Sequence, residues 1–322
     1  MSRRALLGYV LGLLAIAPSA SAAQLAGVAR ASTAPGPTSG PEPATLLRVD
    51  TSLVLIPVHV TNREGGSVTG LPRSAFRLYE DNTEQTISSF FTEEAPVSVG
   101  LLFDASGSMR PRIRKAAEAG AAFFRAANPD DEFFLVEFND RAHLVVPFTT
   151  DINEIIGTIA HTHPVGRTSL IDAIYLACGQ MKKARHTRKA LVIVSDGGDN
   201  WSRHSIGEIR NLLLESDLQV YAMGIFDPDY ERDRSIEERN GPALLDDLAA
   251  LTGGRHFPVD EPNQLPEISE RIGRELHNQY LLGYYSTNRE RDGKYRHVKV
   301  VLQEPPAADL RTSYRTGYYG PQ

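Results

Sequence analysis

Between residues 97 and 278 short apolar runs alternate with longer amphipathic ones, and no other feature restricts the fold as much. Residues 97–103 (VSVGLLF), 133–138 and 190–194 are short, apolar and rich in large or branched side chains, the composition of strands buried on both faces. Residues 142–146, 219–224 and His256-Phe257 read as further strands. Between them, residues 112–127 place Ile113, Ala116, Ala117, Ala121 and Phe124 on one side of a helix. Helices are also predicted over 152–159, 169–181, 206–214, 243–251 and 264–278, and the charge-dense stretch 226–240 reads as an exposed loop. Such alternation predicts an α/β fold with a doubly wound, mostly parallel sheet covered on both faces.

Both flanks of this region have β character. Residues 52–60 form a branched apolar run, Gly65-Gly66 and Asp81-Asn82 are turn signals, and 76–79 and 85–91 read as strands. Beyond residue 279 strands are predicted over 280–285, 295–302 and 310–314, with Asp292-Gly293 as a hairpin turn. Seven of the twelve tyrosines lie there, which favours strand over helix. Each flank is too small to bury much apolar surface alone. The two are therefore expected to pair into one β-sandwich, with the α/β region inserted between them.

The first residues point to export. Arg3 and Arg4 precede an uncharged, mostly apolar run from Ala5 to Ala17, and Pro18 and Ala20-Ser21-Ala22 follow as a break and a small-residue cleavage site. That is the pattern of a signal peptide, and the run is short of the ~20 residues a membrane span needs. The expected organisation is a signal peptide (1–23), a flexible Pro/Gly/Ser/Thr-rich linker (24–47), an N-terminal β region (48–95), the α/β domain (96–279) and a C-terminal β region (280–322). The expected location is secreted or periplasmic, with no transmembrane segment in the mature chain. A formal net charge of −6 argues against a general nucleic-acid binder. One cysteine excludes an intramolecular disulfide and a Cys-rich zinc site.

One motif carries chemistry. Asp104-Ala105-Ser106-Gly107-Ser108 directly follows the first buried strand and has the form D-x-S-x-S, which arises by chance in about one chain in ten of this length. Its context strengthens it. Ligands of doubly wound sheets bind outside the carboxyl ends of the strands, and Asp104 and Asp196 both stand at such ends. Between them Gly166-Arg167-Thr168 opens a helix. Three loops thus offer Asp104, Ser106, Ser108, Thr168 and Asp196, carboxylates and hydroxyls only. Hard oxygen donors suit Mg²⁺, Mn²⁺ or Ca²⁺ rather than Zn²⁺ or copper. They leave a coordination position for an outside ligand, most naturally a carboxylate.

These residues resemble the metal-ion-dependent adhesion site of the von Willebrand factor type A domain, and the resemblance covers roughly residues 96–279. It implies a Rossmann-like domain in which Asp104, Ser106, Ser108, Thr168 and Asp196 hold one divalent ion, Mg²⁺ first, that engages an Asp or Glu of a partner protein in adhesion-type binding. It also implies a non-enzymatic module. Arg167 departs from the glycine common before the threonine. The flanking segments SVTGLPRSAFRLYEDNTEQTISSF, YLLGYYS and YRTGYYG resemble the VWFA-related family known mainly from acidobacterial genomes.

Other features are weaker. His161 and His163 lack a third zinc ligand at helical spacing, G-x-S-x-G and the nucleotide-binding glycine motifs do not occur, and Cys178 falls on the apolar side of a helix. Arg110, Arg112, Arg114 and Lys115 read either as a solvated face or as a basic rim for an acidic partner, and Trp201 either as an exposed anchor or as a packed side chain. Two alternatives stay open: a metal-assisted hydrolase with Asp199 or His163 as base, and a structural envelope protein with a vestigial metal site.

Overall fold

The computed structural model describes residues 53–92, 94–125, 127–226, 236–303 and 309–322. The expected signal peptide and linker, and most of the expected 226–240 loop, lie outside the described residues. Four strands come first: β1 (Leu53–Thr61), β2 (Phe76–Glu80), β3 (Thr83–Gln85) and β4 (Ile87–Phe91). The α/β part then runs β5 (Val97–Asp104), α1 (Ile113–Arg125), β6 (Glu132–Phe138), β7 (Ala142–Thr149), α2 (Ile152–Ala160), α3 (Leu170–Met181), β8 (Arg188–Ser195), α4 (Ile206–Glu215), β9 (Gln219–Ile225), α5 (Ile236–Thr252), β10 (His256–Val259) and α6 (Leu265–His277). Strands β11 (Tyr280–Tyr285), β12 (Tyr295–Leu302), β13 (Arg311–Tyr314) and β14 (Gly317–Tyr319) close the chain.

The central sheet has six strands in the order β10-β9-β8-β5-β6-β7, parallel throughout except for β7. Every residue of β5 is buried, as its apolar run requires. Val99, Leu101 and Phe103 pack with α1, α2 and α6 on one face, and Leu102 with α3, α4 and α5 on the other. The chain moves outward from β5 through β6 and β7, then returns to place β8 on the other side of β5. The crevice between β5 and β8 is therefore the point where the strand order reverses.

Each of the two remaining sheets mixes strands from both ends of the chain, in the orders β13-β1-β11-β4 and β14-β12-β2-β3. Ile56, Val58 and Leu78 from the first flank share one core with Tyr280, Leu282, Val298 and Val300 from the second. The flanks thus form the expected sandwich. At Asp81-Asn82 both residues have positive φ (45° and 67°), the twist of a tight turn joining β2 to β3. Two expectations need correction. Asp292-Gly293 closes no hairpin, because β11 and β12 lie in different sheets and the turn only carries the chain across. Helix α5 begins at Ile236, inside the stretch read as a loop, and carries Pro242 in its second turn.

Glu80 fastens the sandwich. It is 2% exposed, and Tyr284 and Tyr318 each donate a hydroxyl to its Oε2 at 2.7 Å while Ser286 donates to Oε1 at 2.5 Å. Arg296 approaches Oε1 at 3.6 Å. Truncation would remove the acceptor of the Tyr284 and Tyr318 hydroxyls and leave the buried Arg296 charge without its nearest carboxylate. Glu80→Ala should cost about 3–5 kcal/mol and Tyr284→Phe only ~1 kcal/mol, read from urea unfolding.

A second buried polar group lies where the sandwich meets the α/β part. His59 of β1 bonds Ser67 Oγ through Nε2 at 2.9 Å. Glu275 and Arg271 of α6 and Arg255 before β10 face it. Burial first, then the Arg255 and Arg271 charges, push His59 down to about 4, so its 3.8 Å approach to Glu275 is not an ion pair at neutral pH. The Glu275 carboxylate bonds Arg255 instead, at 2.5 Å. Because the folded pKa lies below the unfolded one, the unfolded chain takes up a proton first as pH falls. The contribution of His59 to stability should drop by about 3 kcal/mol between pH 6.5 and 4. In His59→Gln the slope of unfolding free energy against pH over that window should fall by about one proton's worth. An unchanged slope would show that His59 does not carry it.

Candidate functional site

Adjacent strand ends build the centre of the site. Phe103 pairs with Val194 in register, so Asp104 at the end of β5 and Ser195 at the end of β8 are neighbours. Ser195 donates its hydroxyl to Asp104 Oδ2 at 2.5 Å and accepts the Gly197 N–H at 2.9 Å. Asp104 Oδ1 accepts the Ser106 N–H at 2.9 Å, and the Ser106 and Ser108 hydroxyls lie 3.0 Å apart. Asp104 and Ser106 are fully buried and Asp196 is nearly so.

Backbone bonds tie the three loops together. Gly107 N–H donates to Gly166 O at 2.9 Å, and Val165 N–H to Ala105 O at 2.9 Å, which fixes the Thr168 loop against the D-x-S-x-S loop. Asn200 and Trp201 N–H groups donate to Thr168 O at 3.1 and 3.0 Å, while Thr168 N–H donates to Asn200 Oδ1 at 3.0 Å. The loop after β8 is thereby locked to the loop before α3. It is also pressed from behind. Gly241 of α5 meets this loop so closely that a Cβ there would lie 2.2 Å from Asp196 O and 2.8 Å from Gly197 C.

The electrostatics follow from two carboxylates in one dry crevice. Burial first, then the charge of Asp196, raises Asp104 to about 7, against the hydrogen bonds from Ser106 and Ser195. Asp196 has a counter-ion that sequence reasoning missed. Arg112, just before α1, is 5% exposed and donates Nη1 to Asp196 Oδ2 at 2.9 Å. Neither reading of the Arg110–Lys115 basic cluster fits this residue, since it is neither a solvated face nor a rim. The signal available was its position eight residues after Asp104, on the turn leading from the motif into the helix.

The remaining candidates sort plainly. Asp199 accepts the Ile171 N–H at the start of α3 and the Ser202 hydroxyl, so it serves as a helix cap rather than a free base. His161 bonds Gly157 O through Nδ1, and His163 is exposed. Burial pushes the Cys178 thiol up to about 12, leaving it inert. Trp201 is half exposed, and the Arg167 guanidinium lies 3.6 Å from its ring centroid. Among the described residues no three or more His, Cys, Asp or Glu side chains gather as a metal-ligand cluster. The five candidate positions include only two carboxylates; the others are hydroxyls.

Residues 99–198 match the family model of the von Willebrand factor type A domain, and a domain of this type accords with the α/β fold described above. The match is consistent with a non-catalytic module. No curated protein sequence matches significantly. Similar solved structures include the conserved hypothetical protein BatB from Bacteroides thetaiotaomicron, 19% identical over 56% of this chain and 98% of that one, with a TM-score of 0.46. An aerotolerance-related membrane protein from Bacteroides fragilis is 20% identical over the same shares, also at 0.46. A von Willebrand factor type A protein from Catenulispora acidiphila is 12% identical over 85% of this chain and 75% of that one, again at 0.46.

The approach of α5 to the Asp196 loop gives a prediction with two opposed signs. Helix propensity alone would make Gly241→Ala stabilising by up to ~1 kcal/mol. The contact at 2.2 Å is with backbone, which cannot rotate away. The variant should therefore lose about 1–3 kcal/mol in thermal or urea unfolding. A gain would mean that the helix does not press on the site.

Proposed function

We propose that this chain is an exported, adhesion-type binding module that holds a divalent cation at Asp104, Ser106, Ser108, Thr168 and Asp196 and uses it to engage an Asp or Glu side chain of a protein partner. The observation that carries this reading is the convergence of three loops on the reversal point of the sheet, locked to one another by backbone bonds. A general protein-interaction role is supported by the match to the von Willebrand factor type A domain. The donor chemistry fits a hard ion: every side-chain donor is oxygen, and two buried carboxylates stand at adjacent strand ends. Mg²⁺ is the first choice, with Mn²⁺ and Ca²⁺ as alternatives. When bound, the ion would act as a Lewis acid toward an incoming carboxylate. Among the described residues no helix is long and apolar enough to cross a membrane. Export, to the periplasm or outside the cell, rests on the amino-terminal segment, and kinship with the VWFA-related family of Acidobacteria rests on the flanking motifs.

The chain's own residues would orient the partner. Ser195 and the Ser106 N–H hold the Asp104 carboxylate in one orientation. Arg167 keeps its backbone N–H on Asp140 Oδ1 at 2.9 Å while its guanidinium covers the exposed Trp201 ring. A cation stacked on an aromatic ring beside the Thr168 loop suits a partner that brings a carboxylate and apolar surface together.

Immobilised mature protein should capture a partner from envelope extract in Mg²⁺ and release it in EDTA. Asp104→Ala should capture nothing while keeping its fold by circular dichroism. Trp201→Ala should weaken capture about tenfold or more, as an interface anchor does, and leave the Mg²⁺-dependent rise in Tm unchanged. Normal capture by Asp104→Ala would rule the metal mechanism out.

A further inference from the structure

We infer that Arg112 is a resident cation of the candidate metal site, which holds Asp196 in an ion pair and sets how tightly a divalent ion binds there; this rests on the metal-site reading above. Of the basic residues at the start of α1, Arg110 and Arg114 are exposed, Lys115 Nζ donates to Asp260 O at 2.5 Å, and Arg112 alone is buried. Its guanidinium has turned inward, against the usual preference of arginine for the surface. Nη1 reaches Asp196 Oδ2 at 2.9 Å and Ser108 O at 3.3 Å. Both bonds go to residues of the candidate donor set. Asp196 Oδ1 accepts the Gly198 N–H at 3.2 Å, so both carboxylate oxygens are engaged.

The consequence follows from charge. A divalent ion served by Asp196 must share that carboxylate with the guanidinium or take it over. Either way two like charges meet where water screens little. The guanidinium is also incompletely satisfied, since its buried Nε has no hydrogen-bond partner among the described residues. A pair of this kind is retained only while its partner carboxylate compensates the desolvation of both groups. Without an ion, Arg112 neutralises one of two buried carboxylates and the fold does not depend on metal. With an ion present, Arg112 opposes it. The site is therefore set to low affinity by one side chain, and removing that charge should tighten metal binding while weakening the metal-free fold.

The test uses the full mature chain as wild type, Arg112→Gln and Arg110→Gln. Arg110→Gln removes the same formal charge from an exposed neighbour and controls for net charge. Mg²⁺ and Mn²⁺ are titrated by calorimetry and by emission of Trp201, the only tryptophan, with Tm measured with and without the ion. Arg112→Gln should bind the ion about tenfold or more tightly than wild type, show a lower Tm without it, and gain a larger Tm increment on adding it. Arg110→Gln should stay within about twofold of wild type, because an exposed charge is screened. Binding by Arg112→Gln with none by wild type supports the inference in its strongest form. An Arg112→Gln chain that folds only with millimolar Mg²⁺ also supports it; one that stays unfolded there overturns it, because the ion should replace the lost charge. Equal or weaker binding than a wild type that does bind overturns the role of Arg112 and leaves the metal site standing. No binding by either overturns both.

Discussion

Two parallel strands, β5 and β8, lie side by side in the middle of the sheet, and Asp104 ends one while Asp196 follows the other. The pairing is fixed by burial: both strands are apolar, and their register is held by helices on both faces. Once the strands are paired, two carboxylates must enter one dry crevice. Everything near the crevice answers that problem. Ser195 and the Ser106 N–H donate to Asp104, and Arg112 and the Gly198 N–H donate to Asp196. Buried carboxylates are tolerated only when donors and counter-charge surround them. The Thr168 loop enters because its backbone completes the hydrogen bonding of its neighbours.

The same physics governs the rest of the chain. In the sandwich a buried carboxylate, Glu80, collects hydroxyls from β11, β14 and the segment after β11, joining strands from opposite ends of the sequence. At the sandwich's junction with the α/β part, Glu275 is buried between Arg255 and His59. Burial raises the pKa of Glu275 against the attraction of the nearby arginines. The Asp104–Asp196 crevice and Glu80 thus hold together segments distant in sequence, while Glu275 ties α6 to the residue before β10. An apolar core would give cohesion at each place, but only directional donors define which strand ends meet which loop.

Legibility in the sequence followed the range of the interaction. The strands of the central sheet were readable because burial on both faces leaves an unbroken apolar run, and the Asp81-Asn82 turn because positive φ favours those residues. The D-x-S-x-S loop and its two partner loops were readable as strand-end positions. Asp292-Gly293 misled because a turn signal is local and does not say which strands will pair across it. The start of α5 was hidden because a charge-rich run with Gly241 and Pro242 looks like a loop until the helix is seen packing that glycine against the Asp196 loop. β14 is only three residues long and leaves no periodicity to read. Arg112 was hidden for a stronger reason. Three other basic residues surround it within four positions, so nothing local separates it from a solvated face. Its burial is set by Asp196, 84 residues away.

That separation bears on how such a site can be tuned. The D-x-S-x-S loop must keep its hydroxyls and its tight path to offer oxygen donors at all. Helix α1 has no such obligation at the turn where it begins, provided its apolar face still meets the sheet through Ala116 and Phe123. A basic side chain there can reach inward to a carboxylate on the next strand without disturbing either loop. Charge at that point changes the electrostatic balance of the crevice while geometry at the donor set stays fixed. On the proposed metal-site reading, affinity for a cation and the stability of the cation-free fold vary in opposite directions through Arg112. On that same reading, a change at this helix start would alter dependence on the ion with every candidate ligand left in place.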